Sequence, residues 1–257
     1  MSSPKVLFGF HALGVRLKTA PQSIIEIYYD SARRDARMRS FIDRATEAGV
    51  RLVESDGLRL SKLCGNHGHQ GVAARVKEVA QVHSLDELLE NLEATNADLP
   101  AAERVNPLIL VLDGITDPHN LGACLRVADG AGVHAVIAPK DHAAGINATV
   151  AKVASGAAET VPYFMVTNLA RTLNELKERN IWIIGTSDAA TKTLYQADLT
   201  GPVALVLGAE GAGMRQLTAK TCDDLVSIPM QGAVESLNVS VASGVCLYEA
   251  VRQRTQA

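Results

Sequence analysis

The sequence predicts an α/β protein: a C-terminal parallel sheet covered by helices on both faces, preceded by a smaller N-terminal α/β unit. Three observations predict it. From residue 108 onward, short apolar runs alternate with stretches of helical period, the pattern of a parallel sheet buried on both faces. A polar stretch with two prolines, residues 94–107 (ATNADLPAAERVNP), separates this region from what precedes it. A hydrophobic content of 47% over 257 residues is enough for real cores in both parts.

Within residues 5–78, residues 24–29 are rich in β-formers, and residues 33–48 have helical periodicity with Met38, Phe41, Ile42 and Ala45 on one face. Residues 51–53 and 72–76 are short strand candidates. Ser84-Leu85-Asp86-Glu87 is a capping-box pattern opening a helix to about residue 92. The division predicted is therefore 1–80 as one domain, 81–107 as a short helix and linker, and 108–257 as a second domain. In the latter, strands are expected at 108–112, 135–138, 181–185, 203–207 and 225–228, and helices at 121–131, 148–154, 169–179, 214–221 and from 238 to about 252.

Charge is unevenly spread. Residues 1–80 hold 13 Lys/Arg and 8 Asp/Glu, whereas residues 81–257 hold 12 and 20. A basic first part on an acidic remainder points to a polyanion partner for the former, although ordinary surface variation gives the same numbers. Cys64, Cys124, Cys222 and Cys246 are widely spaced, with no CxxC pair, as expected of free thiols in a reducing compartment. No apolar stretch reaches membrane-spanning length and the N-terminus does not read as a signal peptide, so a cytoplasmic protein is expected. Cys64, His67 and His69 lack a fourth ligand, and no metal site is expected. Cys124 has no evident activating partner for nucleophilic chemistry.

Ligands of such sheets bind beyond the carboxyl ends of the strands, and three segments follow expected strand ends. In residues 117–126 (DPHNLGACLR), Pro118 and Asn120 suit a helix start, Gly122 allows a close approach, and Arg126 offers a guanidinium for a phosphate. A capped helix with a surface arginine reads equally well. Residues 205–213 (LVLGAEGAG) run a buried strand into a loop with three glycines around Glu210. The spacing fits neither GxGxxG nor a Walker loop, and a plain turn with an incidental acid remains open. In residues 228–242, Pro229 stops a strand, and Ser236, Asn238 and Ser240 crowd the start of the last helix. One cap needs only one of them.

Taken in order, Asn120-x-Gly122-x-x-x-Arg126, Gly208-x-Glu210-Gly211-x-Gly213, and Ile228-Pro229-Met230 through Ser236-Leu237-Asn238-Val239-Ser240 resemble the three motifs of the SpoU/TrmH family, RNA ribose 2′-O-methyltransferases of the SPOUT class. The resemblance extends over nearly the whole chain, more loosely in the N-terminal part. It implies a deep trefoil knot in the C-terminal domain, which general topology rules would argue against, and an L30e-like RNA-binding N-terminal domain. It also implies S-adenosyl-L-methionine as cofactor, a guanosine of 23S rRNA as substrate, no DNA or membrane partner, and a homodimer formed through the C-terminal domain. Carried over, the catalytic group is Asn120, Arg126, Glu210, Ser236 and Asn238, with Arg126 acting as the base or as an electrostatic stabiliser. The cofactor is held by Thr186, Leu207, Gly208, Ile228, Met230, Ser236 and Leu237. Arg33, Arg34, Arg37 and Arg39 form the densest basic cluster of the RNA-reading part. A tRNA ribose methyltransferase, and a non-catalytic RNA-binding or ribosome-assembly protein on the same fold, remain alternatives.

Overall fold

The computed structural model of the protein describes residues 5–65, 68–77, 84–100 and 103–256. The chain forms two compact units, Met1–Gln81 and Val82–Ala257.

The first unit follows the order β1 (Lys5–Phe8), α1 (Phe10–Thr19), β2 (Ile24–Asp30), α2 (Ala36–Glu47), β3 (Leu52–Ser55), α3 (Gly57–Cys64) and β4 (Val72–Val76). Its sheet is ordered β1-β4-β2-β3, with β4 antiparallel to both neighbours and β3 parallel to β2. One face buries Ile27 and Val72 against Leu13 of α1 and Met38 and Phe41 of α2; Phe10 meets Phe41 edge to face, centroids 5.4 Å apart. Among the described residues, the other face buries Tyr28 and Ala73 against Leu60 of α3. Strand β1 and helices α1 and α3 were not expected from the sequence, although Phe10, Leu13 and Leu17 carry an i, i+3, i+7 stripe. Helix α2 begins at Ala36, not at 33, because the Asp35 side chain accepts a hydrogen bond from the Met38 amide and so caps it there. Arg33 and Arg34 therefore precede the helix.

The second unit opens with α4 (Leu85–Ala97), capped by Ser84 as expected. It runs past residue 92, so residues 94–97 are helix and not linker. Leu88 and Leu89 pack on Ile109 and Val111, and in the added turn the Asn96 side chain donates to the Val105 carbonyl at 2.9 Å and accepts the Val105 amide at 2.8 Å. Then come β5 (Leu108–Asp113), α5 (Pro118–Gly130), β6 (Ala135–Pro139), α6 (Ala148–Ala154), α7 (Ala157–Thr160), β7 (Tyr163–Val166), α8 (Leu169–Glu178), β8 (Trp182–Thr186), β9 (Val203–Gly208), α9 (Gln216–Thr221), β10 (Asp224–Val226) and α10 (Val239–Gln256). All six strands are parallel, in the order β10-β8-β9-β5-β6-β7. Leu108, Leu110 and Leu112 face one core with α5, α6 and α10; Ile109 and Val111 face the other with α4 and α8. Burial on both faces is why β5 reads as an unbroken apolar run.

Several elements differ from the sequence reading: α5 begins at Pro118 and not at 121, α9 at Gln216 and not at 214, α10 runs on to Gln256, and α7 was not expected. Strand β7 was not expected; it is a short edge strand whose side chains are only half-buried, so its pattern is weak. Strand β10 ends at Val226, not Ile228, and Ser227 makes only an isolated bridge to Thr193.

The chain order locates the site. From β5 the chain moves to β6 and β7 on one side; it later returns to fill the other side, with β9 seated between β8 and β5. The gap between β5 and β9 at their carboxyl ends is thus the topological switch point, where α/β sheets bind ligands. Among the described residues, no helix is long and apolar enough to cross a membrane.

Candidate active site

Asp113 ends β5 and pairs in register with Gly208, the end of β9. Its carboxylate is fully buried and receives the Arg215 amide at 2.9 Å and the Arg215 guanidinium through Nε at 2.7 Å and Nη2 at 2.6 Å. The pair pins the far end of loop 209–215 across the switch point. The sequence reading missed both residues; the one signal available is a lone acid closing an apolar strand. Removing the guanidinium leaves a buried charge with a single amide donor. We therefore expect Arg215→Ala to cost about 3 kcal/mol, near the lower end for breaking a buried pair because half of Arg215 is in solvent. Scanning calorimetry of the full chain should show the transition of this unit lowered by roughly 6–12 °C; a shift under about 2 °C would mean the clamp is not stabilising.

The loop itself is tight. Ala209 and Gly213 exchange backbone hydrogen bonds of 3.1 and 2.8 Å around residues 210–212, and Gly211 and Gly213 take φ of 75° and 66°, conformations that strongly favour glycine. Gly208 is constrained otherwise. A Cβ there would lie 2.1 Å from both the Gly213 carbonyl carbon and the Met214 nitrogen, so the returning loop backbone occupies the place of a side chain.

That turn presents Glu210. Its Oε1 accepts from Asn120 Nδ2 at 3.2 Å, Asn238 Nδ2 at 2.5 Å and the Val239 amide at 3.2 Å. Asn238 Nδ2 also donates to Asn120 Oδ1 at 2.9 Å, while its Oδ1 receives the Ser240 amide at 3.0 Å and hydroxyl at 2.5 Å. Asn238 therefore caps α10 with one side of its amide and joins the other two segments with the other. A carboxylate facing the first turn of α10 is favourably placed against the helix dipole. The three segments thus meet in one hydrogen-bonded node of Asn120, Glu210 and Asn238.

Asn120 does not cap α5. Asp117 does, accepting from the His119 amide at 2.9 Å, and Asn120 sits in the first turn, its amide free to reach Glu210. Gly122 makes the close approach expected of it, to a neighbouring helix: a Cβ would lie 2.7 Å from Val153 Cβ and 3.0 Å from the Val150 carbonyl of α6. Arg126 lies six residues beyond Asn120, about 9 Å along the axis. It is exposed, and no side chain among the described residues pairs with it. Neither Asn120 nor Glu210 bonds to it. Ser236 is likewise exposed, outside the hydrogen-bonded node.

Thr186 ends β8, its hydroxyl donating to the Val206 carbonyl at 3.3 Å. Leu207 and Gly208 end β9. Residues 228–237 form an irregular segment in which, among the described residues, no backbone amide or carbonyl is hydrogen-bonded within the chain. Ile228, Met230 and Leu237 line it as half-buried apolar side chains, and Ile228 packs on the core.

Other candidates are engaged structurally. Cys124 is buried against Ser243, Sγ to Oγ 3.4 Å, and burial pushes its thiol up to about 11, which excludes a thiolate at neutral pH. His69 has Nε2 on the Ser61 hydroxyl and Nδ1 accepting the Gly71 amide; His67 lies outside the described residues. Among the basic residues, the Arg33 guanidinium bonds the Gln70 carbonyl, pairs with Asp35 and covers Phe10, and Arg37 covers the same ring at 4.7 Å. Arg34 and Arg39 are exposed, without a carboxylate partner among the described residues.

Residues 107–248 match the model of the SpoU rRNA methylase family, and residues 6–82 match a model described as RNA 2′-O ribose methyltransferase substrate binding. The chain is 61% identical over 255 residues to the 23S rRNA (guanosine-2′-O-)-methyltransferase RlmB of Ralstonia nicotianae, covering 99% of this chain and 98% of that one. It is 57% identical over 250 residues to a protein of the same name from a Burkholderia species, covering 97% of each. In fold it resembles the SpoU methyltransferase AviRb of Streptomyces viridochromogenes, solved in complex with AdoMet, with a TM-score of 0.68 and 24% identity over 98% of this chain and 91% of that one. The strands and loops that build the Asn120–Glu210–Asn238 node all fall inside the matched region, and the chain belongs to the SpoU rRNA methylase family.

Proposed function

We propose that this protein transfers a methyl group from S-adenosylmethionine to the ribose 2′-hydroxyl of a guanosine in 23S rRNA. The observation that carries the reading is the node of Asn120, Glu210 and Asn238 at the switch point, in a chain so similar over its full length to proteins named for that reaction.

The cofactor fits the residues present. Residues 228–237 offer unpaired backbone donors and acceptors beside the apolar Ile228, Met230 and Leu237, a donor set suited to a neutral purine and ribose. Thr186, Leu207, Gly208 and Ser236 complete the cofactor rim in this reading. When bound, S-adenosylmethionine supplies an electrophilic sulfonium methyl. The chain must hold the ribose oxygen in line and stabilise it as its proton passes to solvent water. Arg126 is the one exposed cation of the first segment, and its guanidinium fixes the RNA phosphate and stabilises the developing alkoxide. A guanidinium presents a planar fork of donors and no acceptor, so we assign Arg126 electrostatics and not base catalysis. Glu210 and Asn120 hold the start of α10 and the 209–213 turn in register, and Ser236 and Asn238 face the ribose.

In the same reading, the first unit binds RNA as an L30e-like domain, with Arg34 and Arg39 the freest of its α2-side arginines and Arg33 and Arg37 more constrained. Val241 and Tyr248, seven residues apart on α10 and each about half exposed, support a homodimer through the second unit. The strand order, with β9 inserted between strands formed earlier in the chain, is compatible with a trefoil knot. A cytoplasmic location follows from a ribosomal RNA substrate.

The test is methyl transfer from radiolabelled S-adenosylmethionine to unmethylated 23S rRNA transcript and to total tRNA, with the product mapped by primer extension. Label on a 23S guanosine ribose is expected. Label on tRNA alone would favour a tRNA enzyme. No label on either, with the cofactor still bound, would leave a non-catalytic RNA-binding protein.

A further inference from the structure

The face of the N-terminal sheet opposite α1 and α2 carries a basic pocket that no expected RNA contact includes. Tyr28, Arg59, Lys62, Leu63 and Arg75 line a cavity of about 270 Å³. Strand β2 supplies Tyr28, β4 supplies Arg75, and α3 supplies Arg59 and Lys62. The guanidinium carbons of Arg59 and Arg75 lie 5.6 and 5.8 Å from the Tyr28 ring centroid, so the two arginines flank one aromatic ring.

The local charge is not balanced within the chain. Among the described residues, Glu26 is the only carboxylate joined to this group; it accepts from the Tyr28 hydroxyl at 2.5 Å and pairs with Arg75 at 3.5 Å and Arg51 at 4.0 Å. Arg59 and Lys62 have no carboxylate partner among the described residues, and both are exposed. Three cations thus border a concave pocket with no acid in its lining, an arrangement that focuses positive potential and favours an anion. The pocket is fixed by the fold. Asp56 caps α3 through the Arg59 amide at 2.8 Å, and Leu60 of the same helix is fully buried beside Tyr28 and Ala73.

We propose that this pocket seats a backbone phosphate of the RNA substrate, held by Arg59, Lys62 and Arg75. The inference rests on the reading of the chain as an RNA methyltransferase. It adds an RNA contact of the first unit apart from the Arg33–Arg39 cluster, in which Arg33 and Arg37 are already committed to Phe10, Gln70 and Asp35. Phosphate contacts position an RNA without reading its bases, so the pocket sets orientation and affinity, not sequence choice.

The test uses the full chain carrying Arg59→Gln and Lys62→Gln together, both on the exposed side of α3, beside Arg59→Lys with Lys62→Arg as the charge-retaining control. Filter binding to unmethylated 23S rRNA transcript across a potassium chloride series measures affinity and its salt slope. Calorimetry with S-adenosylmethionine and radiolabelled methyl transfer are measured on the same samples. We expect Kd for RNA to rise about five- to eightfold at ~100 mM salt and the slope of log K against log salt to fall by about 0.7–0.9, the contribution of the one phosphate seated in the pocket. The control should behave as wild type, as should cofactor affinity and kcat at saturating RNA. A glutamine variant with wild-type Kd and slope, in a protein that does methylate the transcript, overturns the pocket and leaves the reaction standing. A wild type that binds the transcript through this pocket without methylating it overturns the reaction and leaves the pocket standing. A wild type that does not bind the transcript overturns both.

Discussion

Arg126→Ala should lower kcat for methyl transfer by about 10³, within the range lost when one preorganised donor to a developing oxyanion is removed and equal to roughly 4 kcal/mol of barrier. The chain itself should not register the change. The Arg126 side chain is exposed and pairs with no carboxylate or carbonyl among the described residues, so the melting temperature and the affinity for S-adenosylmethionine should stay at wild-type values. The pattern matters more than the size. A residue that holds the fold together loses stability and activity together, whereas a group made for the reacting oxygen loses turnover alone. Lysine at 126 keeps the charge but not the planar fork and should recover only part of the rate. Turnover of Arg126→Ala within about threefold of wild type at saturating RNA would remove Arg126 from the mechanism.

Gly208→Ala should fail for the opposite reason. The added methyl has no place to go: at 2.1 Å from the backbone of residues 213 and 214 it overlaps main chain, not the end of a flexible side chain. Either the loop leaves β9, separating Glu210 from Asn120 and Asn238, or β9 shifts in the centre of the sheet. We expect a loss above about 4 kcal/mol, among the large effects attributable to a named steric cause, and no measurable cofactor binding. Gly232→Ala is the matched comparison. A Cβ at 232 meets nothing within 4 Å, and that variant should melt as wild type does. Equal melting temperatures for the two variants would show that the close approach at 208 is not a constraint.

These two residues also show what the sequence discloses. The parallel sheet was legible because burial on both faces leaves a continuous apolar run at β5 and β9, and the switch-point loops were legible because glycines cluster where backbone must turn. Gly208 looked like one of three equivalent glycines, yet its neighbours Gly211 and Gly213 serve positive φ, whereas Gly208 serves contact with residues more distant along the turn. No local pattern separates the two uses. From local pattern alone the node was legible only as three separate segments; their grouping into one site came from the resemblance to the SpoU/TrmH motifs. Asn238 was recognisable as a cap, but its second role depends on partners 118 and 28 residues away. Asp113 and Arg215 escaped notice because a single acid at a strand end and a single arginine before a helix acquire meaning only when 102 residues of chain bring them together. Strand β7 was invisible for a different reason: a half-buried edge strand has neither an unbroken apolar run nor a clean alternation. The N-terminal arginines stood out through density. Four in seven residues draw the eye, but two of them lie against Phe10, while Arg59, Lys62 and Arg75 come from separate elements and form no run at all.

The seat of β9 between β5 and β8 has a consequence for how the protein is made. The pairings β5–β6 and β6–β7 join strands consecutive in the chain and can form as it emerges from the ribosome. β9 must then enter a slot whose two sides were synthesised earlier, and the node closes only when Asn238 arrives, near the end of the polypeptide. Contacts this distant in sequence slow folding, and domains generally fold as units during synthesis, the N-terminal one first. An RNA-binding unit would therefore be complete while its methyltransferase partner still lacks the residues that make a site, and a chain released before α10 would bind without acting.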